Sequence, residues 1–169
     1  MLPQGARVTW MGEHDRIATT GFSKMSDRQI GIWEAGSLSN VKMTLIDQSS
    51  GVLMPFWSDN NLLFLAGKGD GNIRYYEYET DTLYPLAEHK SSDPQRGMCF
   101  LPRRALNVAE CEIARAYKLA GSTVEPIAFV VPRKVSRTAV VPGFPHRLCH
   151  RRIPSKPTSS HLHPPPSPP

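Results

Sequence analysis

At 169 residues, with 20 Lys+Arg against 15 Asp+Glu and an isoelectric point near 9.3, the chain has the size of one domain and the overall charge of a nucleic-acid or membrane-surface binder. The distribution of that charge argues against both classes. Residues 1–134 carry fifteen bases and fifteen acids, and the whole excess lies in Arg137, Arg147, Arg151, Arg152 and Lys156. The chain opens M-L-P-Q-G-A-R, with no basic leader running into an apolar stretch, and it contains no apolar run near the roughly 20 residues that cross a bilayer. Three scattered cysteines, Cys99, Cys111 and Cys149, make no disulfide framework and fit a reducing compartment. The expectation is a cytoplasmic chain without nucleic-acid binding or membrane insertion.

The elements then follow in chain order. Residues 8–10 open a strand, and residues 17–20 follow a turn at 12–15. Residues 29–33 and 41–46 complete a set of four. A second set occupies residues 53–57, 62–66, 73–78 and 83–87, with Asp70-Gly71-Asn72 expected as a tight hairpin whose positive φ angles Asp-Gly supplies. The run L-L-F-L-A is apolar on both faces, the pattern of a strand covered on two sides. A third set starts at residues 97–101. Asn107-x-x-Glu110 has capping-box spacing and predicts a helical turn before residues 113–119. In that segment Ala and Lys favour helix whereas the repeat register favours strand, and the register decides for strand. Residues 127–131 form the last strand, closed by Pro132.

These sets echo one another. R-I-A-T-T-G-F-S-K-M-S-D-R-Q-I-G-I-W (16–33) and L-L-F-L-A-G-K-G-D-G-N-I-R-Y-Y (62–76) both run strand, Gly, polar turn, strand, large aromatic. Trp33 and Tyr76 lie 43 residues apart, as do Trp57 and Phe100. A four-strand repeat of that length is the mark of a β-propeller blade, and blades bury their faces only by stacking in arrays. The fold expected is all-β: two blades and most of a third over residues 1–134. Residues 135–169 hold nine of the sixteen prolines and four of the six histidines. Such a composition offers too little apolar surface to offset its ordering entropy, so this stretch is expected to be a disordered basic tail.

Six blocks go beyond a generic repeat. T-T-G-F-S-K-M-S-D-R-Q-I-G-I-W (19–33), S-S-G-V-L-M-P-F (49–56), G-K-G-D-G-N-I-R-Y-Y-E (67–77), Q-R-G-M-C-F-L-P-R-R (95–104), C-E-I-A-R-A-Y-K-L (111–119) and E-P-I-A-F-V-V-P-R-K (125–134) resemble, in this order, the coronin family of WD-repeat actin-binding proteins. The resemblance implies the closing blades of a seven-bladed propeller that binds actin filaments in the cytoskeleton. The family's earlier blades and its C-terminal coiled coil, which serves oligomerisation, have no counterpart here. After Lys134 the sequence departs from the family, as a truncated gene model would; such a fragment could lack activity by itself.

The chemistry-bearing residues suggest binding rather than catalysis. Gly67-Lys68-Gly69 lacks the spacing of a phosphate loop and fits a hairpin turn. Cys99 and Cys111 are expected as buried small hydrophobes, and His14 and His89 as surface residues. His146, His150, His161 and His163 have no scaffold to form a metal site. R-x-x-P-x-x-P at 151–157 fits a basic polyproline ligand, a pattern that chance readily produces in such a tail. Trp10, Trp33, Trp57, Tyr75 and Tyr76 fall at repeat-related positions and are expected mostly in the core. No nucleophile–base pair, metal set or cofactor motif stands out, so no enzyme and no cofactor are expected. The actin filament surface is acidic overall, so exposed turn cations are the natural contacts: Lys24 and Arg28 first, then Lys68 and Arg74. The rival expectation is a WD scaffold that docks a peptide partner other than actin.

Overall fold

The structure is a computed structural model and describes residues 5–131. The expected tail, its four histidines, Cys149, the polyproline pattern and the domain boundary at Lys134 all lie outside the described residues. Eleven strands form three sheets. The first blade is β1 (Arg7–Trp10), β2 (Arg16–Phe22), β3 (Arg28–Glu34) and β4 (Asn40–Asp47). The second is β5 (Leu53–Ser58), β6 (Leu62–Gly67), β7 (Asn72–Glu79) and β8 (Thr82–Lys90). The third is β9 (Gln95–Phe100), β10 (Glu112–Ala120) and β11 (Thr123–Val130). Each expected strand is present, and residues 113–119 take the strand conformation.

Every sheet is an antiparallel meander, with Ile17 opposite Trp33, Leu63 opposite Tyr76 and Lys118 opposite Glu125. Alternation along the strands builds two seams. Met11, Ala18, Ile30 and Ile32 of the first blade pack on Leu53, Leu63, Leu65 and Tyr78 of the second. The second blade's other face, with Leu62, Phe64, Ala66, Ile73 and Tyr75, meets Ala114, Ala116, Ile127 and Phe129. Strand β6 is therefore buried at all six positions, because both of its faces are covered. Phe64 is the centre of the second seam, with ring centroids of Phe100 at 4.7 Å, Phe129 at 4.9 Å and Tyr75 at 5.7 Å.

Local details depart from expectation for identifiable reasons. The turn at Val108–Glu110 is 3₁₀, and the side chain of Asn107 caps nothing; its backbone N–H instead donates to Glu112 Oε2 at 2.7 Å. In the β6–β7 connection the positive φ belongs to Gly69, at 91°, not to Asp70 or Gly71. Gly71 is needed for another reason: any Cβ there would collide with the carbonyl oxygen of Ser91 in the adjoining connection. Trp10 is 51% exposed because it lies on the side of the first blade opposite Ala18, away from the seam. Cys99, opposite Tyr117, is exposed rather than buried. The two histidines are less exposed than expected. His14 packs edge-on against Trp57 and Tyr78, and His89 is half-buried in β8.

The meander sorts the connections into two rims. Links β2–β3, β4–β5, β6–β7, β8–β9 and β10–β11 gather at one rim, and the other links at the opposite rim.

Candidate interaction surface

The first rim is built on a buried ion network. Arg28 begins β3 and is 2% exposed. Its Nε and Nη2 donate to Asp47 Oδ1 and Oδ2, both at 2.6 Å. Its Nη1 donates across the seam to Asp70 Oδ2 at 2.6 Å and to the Gly51 carbonyl at 3.1 Å. This planar fork matches two carboxylates at once. The hydrogen bonds from Arg28, ahead of those from Ser49 and Arg74, hold the Asp47 carboxyl well below the usual carboxylate range. For Arg28 itself burial works against the charge, but the bonds to Asp47 and Asp70 outweigh it and raise the pKa. Arg74 ties Asp47 to Glu88, and the Asn72 amide also donates to Glu88. At the second seam Lys118, fully buried, donates to Ser91 Oγ of the β8–β9 connection at 2.8 Å and faces Glu125 Oε2 of its own blade at 3.5 Å.

These pairings determine which charges the rim shows to solvent. Asp47, Asp70, Glu88 and Glu125 are engaged by Arg28, Arg74 and Lys118. Among the described residues the exposed cations at this end of the strands are Arg7, Lys24, Lys68, Arg96 and Lys90, the last 3.3 Å from Glu88 Oε2, and the exposed acid is Asp93. The turn carrying Lys24 is held by Ser23, whose Oγ donates to Asp27 and accepts from the N–H groups of Met25 and Asp27. The Lys68 turn is tied on both sides: Lys68 N–H donates to Val52 at 2.9 Å, and Gly69 N–H to Gln95 at 2.7 Å. Lys24 and Lys68 thus stand on rigid backbone at one rim of adjacent blades.

The opposite rim has the other sign. Among the described residues Glu13, Asp15, Glu34, Asp59, Glu79 and Glu110 are exposed there, against Lys42, Arg103 and Arg104. Asp81 is held at about 2 by a hydrogen bond from Arg16, with a second from Tyr78. The Tyr78 hydroxyl, desolvated and bonded to Asp81, is pushed up to about 12.

Of the four cations expected in contact with a partner, Lys24 and Lys68 are exposed on turns of the first rim. Arg28 and Arg74 are not exposed turn charges. Both lie in strands, their guanidinium groups spent on Asp47, Asp70 and Glu88, so they position the rim instead of presenting charge from it. The sequence reading missed Arg96; Q-R-G-M at the start of β9, one repeat beyond 49–56, was the available signal. Among the described residues no group of three or more His, Cys, Asp or Glu is arranged to hold a metal ion, and no helix is long and apolar enough to cross a membrane.

Three stacked antiparallel blades with a 43-residue repeat define a WD-type β-propeller segment. Solved structures agree: the WD40 domain of Toxoplasma gondii coronin superposes with a TM-score of 0.73 at 34% identity, over 78% of this chain and 35% of that one. No family model matches the sequence. Similarity to whole proteins is strong. The coronin-like protein crn1 of Schizosaccharomyces pombe is 58% identical over 132 residues, 76% of this chain and 22% of the relative. Coronin-A of Dictyostelium discoideum is 52% identical over 124 residues, and human Coronin-2A 42% over 137. The chain is a WD-repeat segment of the coronin family, spanning 28% of Coronin-A and 26% of Coronin-2A.

Proposed function

We propose that this segment binds actin filaments through the rim that carries Lys24 and Lys68, as a non-enzymatic, cofactor-free part of the cytoplasmic actin cytoskeleton. Coronin-family membership supports the choice of partner. The observation that carries the choice of surface is the segregation of charge: Arg28, Arg74, Lys90 and Lys118 engage Asp47, Asp70, Glu88 and Glu125 at one rim, where Lys24 and Lys68 stand exposed without an ion-pair partner among the described residues, while acids outnumber bases among the exposed charges of the opposite rim. An acidic filament is attracted by the first rim and repelled by the second. Contacts of this kind weaken as salt screens them.

The test is filament co-sedimentation of the chain and two double variants. Lys24→Glu with Lys68→Glu should lower the bound fraction at low salt, whereas Arg103→Glu with Arg104→Glu should leave it unchanged. Unchanged binding in the first variant would refute the assignment of this rim.

A further inference from the structure

The two seams differ at the same rim. In the first, the Arg28 guanidinium plugs the corner between blades, bridging Asp47 and Asp70. The residue 43 positions after Arg28 is Gly71, and the β10–β11 turn, Gly121-Ser122, supplies no counterpart to Asp70. The corresponding corner of the second seam holds no arginine plug, and a groove of about 960 Å³ opens there. Gly69, Pro94 and Gly121 give it low, small-residue walls. Lys68 stands on one side, from the second blade, and Arg96 on the other, from the third. Neither cation has an ion-pair partner among the described residues. Glu125 also lines the groove, but Lys118 faces its carboxylate at 3.5 Å, so Asp93 is the opposing charge.

Beneath the groove one side-chain hydrogen-bonding group is unmet. Gln95 is fully buried, and its Nε2 donates to the carbonyls of Gly67 at 3.0 Å and Asn72 at 2.7 Å. With both donors directed into the seam, its Oε1 has no partner among the described residues. A buried acceptor without a donor is costly, and this one lies beneath the groove rather than open to it.

We propose that this groove is a docking site for an extended acidic peptide, its carboxylates held between Lys68 and Arg96 and its backbone along the walls of Gly69, Pro94 and Gly121. The proposal rests on the assignment of the rim above and deepens it, since it specifies the chemistry of the partner segment that enters. The small walls admit a backbone, and the paired cations select acidic side chains.

The experiment uses the full chain and a fluorescein-labelled octapeptide of alternating Glu and Gly, followed by fluorescence anisotropy at low salt. Lys68→Glu and Arg96→Glu should each weaken binding about fivefold, the upper range for an exposed charge pair. Asp93→Asn should tighten it, and Lys24→Glu, the same charge change one seam away, should leave it unaltered. All four positions are exposed, so loss of fold is not the expected cause of any change. No binding by the native chain, or equal weakening by Lys24→Glu, would overturn the groove. Filament co-sedimentation of the same variants separates the two readings. Peptide binding lost in Arg96→Glu, with filament binding unchanged in the Lys24→Glu, Lys68→Glu double variant, would remove the filament assignment and leave the groove standing.

Discussion

Replacing Arg28 with Met tests whether the first seam is closed by its ion network as well as by its apolar core. The substitution keeps most of the side-chain volume and removes four donated bonds: two to Asp47, one to Asp70 and one to the Gly51 carbonyl. Asp47 would retain Arg74, and Asp70 would retain Ser49 Oγ at 3.3 Å. Their side chains are 23% and 17% exposed, so water can relieve part of the stranded charge. Breaking a buried pair by removing one partner costs ~3–5 kcal/mol, and this residual hydration places the expectation at the lower end, ~3 kcal/mol. For a chain of this size that corresponds to a fall of about 10 °C in Tm. Thermal unfolding followed by circular dichroism measures it. Arg28→Lys should fall between native and Met, because an ammonium keeps the charge but cannot fork to two carboxylates. The pH dependence gives a second readout. Asp47 is held below its unfolded value, so its contribution is complete above about pH 4 and is lost as pH falls through the folded pKa. Arg28→Met should therefore be less acid-sensitive than the native chain. A loss below ~1 kcal/mol, with acid sensitivity unchanged, would refute the closing role of Arg28.

What was legible in the sequence was what repeats. The strand positions follow from alternation and from the 43-residue echo, and L-L-F-L-A announced a strand covered on both faces before any seam was known. What was not legible depends on partners distant in the chain. Arg28 looks like a turn cation because the D-R dipeptide at a strand start is the same whether or not a carboxylate 42 residues away reaches across a seam. The capping-box spacing of Asn107 and Glu110 was misleading because Glu112, beyond the turn, reached the N–H first. Gly71 matches a hairpin signal, yet its constraint comes from Ser91, in a different connection. The candidate surface was thus half legible: Lys24 and Lys68 could be named from turn position alone. That Arg28 and Arg74 are held by Asp47, Asp70 and Glu88 is a property of the seams.

Two further expectations follow from the second seam. Phe64→Ala should cost ~3–5 kcal/mol, because the ring is fully buried among Tyr75, Phe100 and Phe129; a midpoint in urea shifted by less than the equivalent of ~1 kcal/mol would show that the aromatic cluster is not the core of the seam. The last concerns His89. It stands in β8 opposite Ile73, with its Nδ1 buried and without a partner among the described residues, and burial and then Lys118 lower its pKa, while Glu125 acts in the opposite direction. The folded chain therefore holds His89 neutral where the unfolded chain, with its ordinary value near 6.5, begins to take up a proton. Stability should be level above that value and fall as the pH drops below it towards the folded pKa. His89→Leu, which cannot be protonated, should remove this part of the decline between pH 7.5 and 5.5 while leaving intact the acid loss below pH 4 that belongs to Asp47. Equal declines in the native chain and the variant would mean that the seam tolerates a second positive charge beside Lys118, and that Glu125 compensates the pair more fully than its single contact at 3.5 Å implies.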